Sequence, residues 1–97
     1  MQQKNVKGGK DMDRVEKKMA KKVGAALRKA LGLKYDVTLV SRSANVRMYD
    51  ILLADTKKGI YFLYRVLEKS VVTLNISNKD VETSKKNVKV LYDFFIA

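Results

Sequence analysis

Residues 46–67 read VRMYDILLADTKKGIYFLYRVL, and this stretch decides the fold. Arg47, Tyr49, Ile51 and Leu53 fall on one side of an alternating pattern, which predicts a strand over Val46 to Ala54. Asp55-Thr56-Lys57-Lys58-Gly59 then reads as a hairpin turn, with Gly59 free to take positive φ. Ile60 to Leu67, rich in aromatic and β-branched residues, predicts the returning strand. Two strands joined so tightly must be antiparallel.

Working outward, Tyr35, Val37 and Leu39 alternate with Asp36 and Thr38, a preceding strand closed by the polar break Ser41 to Asn45. On the other side, Glu68-Lys69-Ser70 makes a tight connection to Val71–Ile76, a short fourth strand at an edge. Helices flank this block. Met12, Val15, Met19, Val23, Ala26, Leu27 and Ala30 recur at helical spacing over residues 13–31. Asp13 and Glu16 form a capping-box-like start, and Gly32 is a left-handed stop. Ser77 to Asp80 offers caps for a second helix, whose apolar face is Val81, Ser84, Val88, Leu91 and Phe95. The expected fold is therefore α+β: helix, three or four antiparallel strands, helix, with both helices on one face of the sheet.

With 97 residues, one domain is expected. A chain this short buries only about 60–65% of its unfolded surface. An apolar content of 46% still places it among globular rather than disordered chains. Residues 12–97 form the domain, and residues 1–11 read as a flexible basic tail. The tail's Lys7-Gly8-Gly9 is also what a purine-rich ribosome-binding site encodes when translated, which would make Met12 the true start.

Several chemistries are disfavoured at once. Without cysteine there are no disulfides or thiolate zinc sites, and a reducing, cytoplasmic setting fits. Without histidine the commonest general base and metal ligand is missing. Asp50 or Asp55 followed by Glu68-Lys69 faintly resembles a metal-dependent nuclease core, but adjacent strand residues point oppositely and Asp55 more simply opens a turn. No catalytic residue, metal or cofactor is therefore expected, although a Ser–Lys pair is not strictly excluded. No apolar run approaches the ~20 residues of a membrane span.

The charge is the functional signal. The net charge is +11, and residues 1–34 hold eleven Lys/Arg against three acids while residues 35–97 hold ten against seven. Arg14, Lys17, Lys18, Lys21, Lys22, Arg28 and Lys29 lie away from the apolar stripe of the first helix. Ordinary solvated helices mix signs, and here only Glu16 offsets the cations. Such a row suits phosphates, whose neutralisation releases condensed counterions. Nucleic acid, DNA or RNA, is thus the first expected partner, with an acidic protein surface as the alternative. Membrane contact is disfavoured, because the helix's apolar face is modest, lacks Trp and Phe, and is needed by the sheet. A lone small domain of this kind also suits the genes of phages and mobile elements.

Ser84-Lys85-Lys86-Asn87-Val88-Lys89, near the start of the second helix, together with the element order, resembles the double-stranded-RNA-binding domain. The resemblance implies that Lys85, Lys86 and Lys89 meet phosphates across a duplex groove. It spans about six residues. The loop Ser41 to Asn45 lacks that family's usual proline and histidine, and the strand Val71–Ile76 is additional. Among the tyrosines, Tyr61 and Tyr64 must face opposite sides of their strand, so at most one of them joins Tyr35 or Tyr49 on an open face.

Overall fold

The computed structural model describes residues 14–41 and 48–97. The expected tail, the Met12 start, the Asp13 cap, the strand onset at Val46 and Arg47, and most of the Ser41–Asn45 break lie outside them. Six elements follow in the expected order: α1 (Arg14–Leu31), β1 (Asp36–Ser41), β2 (Tyr49–Asp55), β3 (Ile60–Val66), β4 (Val71–Ile76) and α2 (Val81–Phe95). The strands form one antiparallel sheet in the order β1-β2-β3-β4.

Alternation decides which side of the sheet is buried. Leu39, Ile51, Leu53, Phe62, Tyr64 and Val66 all point to one face and are buried there. Both helices cover that face: α1 lies on β1, α2 lies on β3 and β4, and the two helices touch. The opposite face carries Tyr61 and Val72, both largely exposed, and the Arg65–Asp50 ion pair at 2.9 Å. Tyr35, Tyr49 and Tyr64 all pack inward, so Tyr61 is the one described tyrosine of the sheet on the open side.

The turns are made by the residues that can make them. Gly59 takes φ +68 in the β2–β3 hairpin, where the Lys58 N–H donates to Asp55 Oδ1 at 3.2 Å. Gly32 takes φ +70 and its N–H caps the Arg28 carbonyl at 2.8 Å, ending α1. β4 pairs Asn75 with Leu63 but Thr73 with Tyr64, which leaves Leu74 as a bulge residue on the edge strand. Asp80 caps α2, accepting from the Thr83 N–H. Hydrogen bonds from Thr83 hold the Asp80 carboxyl below its usual range, with help from the charges of Lys86 and Lys58.

Two parts of the expected helix faces are corrected. Val15 is 67% exposed, because the sheet takes only the arc of α1 centred on Ala20, Val23 and Leu27. At about 100° per residue, Val15 lies more than a quarter-turn away from the centre of that arc. Ala30 is likewise exposed, at the lip of the cleft facing Phe94. On α2, Val81 is half exposed and Asn87 is fully buried.

Asn87 is inside because the sheet offers it partners. Its Nδ2 donates to Tyr64 Oη and to Tyr35 Oη, each at 3.2 Å, and Tyr64 Oη lies 2.9 Å from Ser84 Oγ. Burial raises the pKa of both tyrosines, so their hydroxyls stay protonated as donors. Asn87→Ala should cost about 1–3 kcal/mol, since it strands these buried hydroxyls. Urea unfolding checks this, and a loss below about 0.5 kcal/mol would mean that the hydroxyls find replacement partners.

Candidate functional site

Every one of the ten cations singled out in the sequence is exposed. They do not form one surface. At about 100° per residue, Arg14, Lys17, Lys21 and Arg28 fall in one row along α1, and Lys18, Lys22 and Lys29 fall in a second. The first row faces outward past β1, where Lys17, Lys21 and Arg28 border a hollow against Tyr35 and Val37. Of the second, Lys29 borders a cleft beside α2 with Ala26, Val90, Asp93 and Phe94, while Lys18 shares a hollow with Arg14, Lys17 and Lys21 of the first. The stripe is continuous near the start of α1 and spreads over two flanks toward its end, because α1 sits over the outermost strand and has a neighbour on one side only.

The cations on α1 and α2 differ in their surroundings. Lys89 lies 3.9 Å from Asp93, and Lys86 feels Asp80 at the helix cap. Lys85 is exposed, one turn before Lys89 on the same flank. On α1, none of the seven forms an ion pair among the described residues. Arg28 and Lys29 in the last turn suit the negative end of the helix dipole. No such benefit reaches Arg14, Lys17, Lys18, Lys21 and Lys22. Arg14/Lys18, Lys17/Lys21 and Lys18/Lys22 are like-charge pairs four residues apart, each costing about 0.2–0.5 kcal/mol. The N-terminal half of α1 therefore keeps its charges against its own stability.

Three cations join the outer row that the linear pattern did not mark. Lys34 lies at the end of the same hollow, carried back by the Gly32 turn. Lys57 and Lys58, on the β2–β3 turn, border an adjoining hollow that also contains Lys34. The turn at Gly32 was readable in the sequence. The approach of the β2–β3 turn to it depends on the register of β1 on β2, which pairs Asp36 with Ala54.

Among the described residues no three of His, Cys, Asp and Glu converge to hold a metal ion. Asp50 is buried beside the Arg65 guanidinium, on the sheet face away from the cationic helix. No described helix is long and apolar enough to cross a membrane. No protein-family model, curated protein or solved structure matches the chain. The double-stranded-RNA-binding resemblance therefore stays with the six residues Ser84 to Lys89 and the element order, on a sheet with a fourth strand.

Proposed function

We propose that this chain binds nucleic acid, by contacts from the cations of α1 to phosphates, and that it does so without catalysis. One observation carries the reading. The N-terminal half of α1 presents five exposed cations, none ion-paired among the described residues, on a helix whose opposite face is anchored in the core. A charge row that weakens its own helix is best accounted for by a polyanionic partner. Phosphate contacts position a protein without reading bases, so discrimination between sequences should be weak.

The test is retardation of unrelated DNA and RNA fragments by the purified protein, at salt concentrations up to about 0.15 M. Retardation of all fragments to similar extents is expected. Absence of binding to any of them at that salt would sink the proposal, and would favour an acidic protein surface as the partner of the same cations.

A further inference from the structure

The outer cation row borders a concave feature, and its shape distinguishes between forms of nucleic acid. Because α1 lies on the outermost strand, a trough of about 610 Å³ runs between its free flank and β1. Lys17, Lys21 and Arg28 stand on the helix bank, and Lys34 stands at the end beside Asp36, the one carboxylate among the lining residues. The helix side of the floor is built from the small residues Ala20 and Gly24, and Ala25 lies on the outer lip. A Cβ on Gly24 would meet Val37 Cγ2 at 3.5 Å, so the floor closes directly onto the strand. Past Lys34 the adjoining hollow, about 340 Å³, continues to Lys57 and Lys58.

The cations thus run for about 21 Å along the helix axis, from Arg14 to Arg28, and then turn around the end of α1. A duplex is stiff over about 150 base pairs and cannot follow such a bend within one small domain. A single strand can. Its backbone can also enter a trough floored by alanine and glycine, where a duplex would ride on the lysine tips. The Tyr35 ring at this site is not free for base stacking. It packs edge-on against Phe62, and its hydroxyl is held by Asn87. Binding in the trough would therefore rest on phosphates, without stacking platforms.

We propose that the trough seats one single-stranded nucleic-acid segment, with phosphates along Arg14, Lys17, Lys21, Arg28 and Lys34, in preference to a duplex. This rests on the nucleic-acid reading above. It also predicts the reverse of what charge alone would give. A duplex carries one phosphate per about 1.7 Å of axis against about 3.4 Å for each strand, so a purely electrostatic surface favours the duplex.

The experiment compares 20-nucleotide single-stranded DNA, single-stranded RNA and the matching duplexes at one salt concentration, by fluorescence anisotropy. Two variants that each remove one unit of net charge are measured beside the unaltered protein. Lys21→Gln removes an exposed cation from the helix bank of the trough. Lys69→Gln removes an exposed cation from the β3–β4 connection, outside α1 and the trough. Single strands should bind at least about tenfold more tightly than duplexes, and Lys21→Gln should cost them about fivefold while Lys69→Gln costs under about twofold. Lys34→Gln, outside the helix, should also weaken single strands and gives the reading if Lys21→Gln does not fold. Preference for DNA over RNA, or the reverse, identifies which strand the trough accepts.

Duplexes bound as tightly as single strands, or equal losses from Lys21→Gln and Lys69→Gln, would overturn the trough while leaving the nucleic-acid reading intact. No binding to any nucleic acid, with binding to polyglutamate instead, would overturn both.

Discussion

Leu27→Ala should lower the unfolding free energy by about 2–4 kcal/mol. Leu27 is fully buried, in the core formed with Val23, Leu39, Ile51 and Leu91. Truncation removes apolar packing and leaves a cavity that a stiff sheet below cannot fill. For a domain whose whole stability is about 5–15 kcal/mol, this is a large fraction. At about 4–8 °C per kcal/mol, the melting temperature should fall by more than 8 °C. Val15→Ala is the control, because Val15 shares the apolar spacing of α1 but is 67% exposed. It should change stability by less than about 0.5 kcal/mol. Denaturant unfolding with an unchanged slope and a lower midpoint is the expected record for Leu27→Ala. Near-equal losses for both variants would mean that α1 packs on the sheet through a different arc.

That contrast also shows what was legible in the sequence. Helical spacing identified α1, but seven apolar positions spread over more than the arc that a flat sheet can cover. Only packing against β1 and α2 selects Ala20, Val23 and Leu27 from among the helix's apolar residues. Strand alternation was read more directly, because a period of two leaves one choice of face. Tyr49, Ile51 and Leu53 share one side as expected, which proves to be the inward one, and Tyr61 and Tyr64 take opposite sides. Asn87 was hidden for a different reason. Its neighbours Lys85, Lys86 and Lys89 make it look like part of a wet face, while its partners Tyr35 and Tyr64 are 52 and 23 residues away. Its position between Ser84 and Leu91, three before and four after, was the available signal.

The cationic site divides in the same way. All seven α1 cations could be identified from the sequence and are exposed. Their separation into two rows could not, because it requires knowing that α1 has a helix on one flank and a sheet margin on the other. Lys34, Lys57 and Lys58 come from two separate turns, and only the β1–β2 register brings those turns together.

Phosphate binding by α1 has a quantitative signature in salt. Lys17, Lys18, Lys21 and Lys22 are all exposed, and none forms a hydrogen bond or ion pair among the described residues. Replacing all four by Gln should leave the fold in place, and relief of the like-charge pairs should if anything favour the helix. Each phosphate that is no longer neutralised should reduce the slope of log affinity against log salt by roughly 0.7 for a single strand or 0.9 for a duplex. The weakening should be similar for unrelated sequences, because phosphates carry no base information. The most direct measurement is therefore a salt titration of binding to random-sequence DNA and RNA, with the quadruple variant beside the unaltered protein and circular dichroism on both. The account predicts a slope shallower by about 3 in the variant, with unchanged helix content. An unchanged slope on every nucleic acid, with the fold intact, would contradict it.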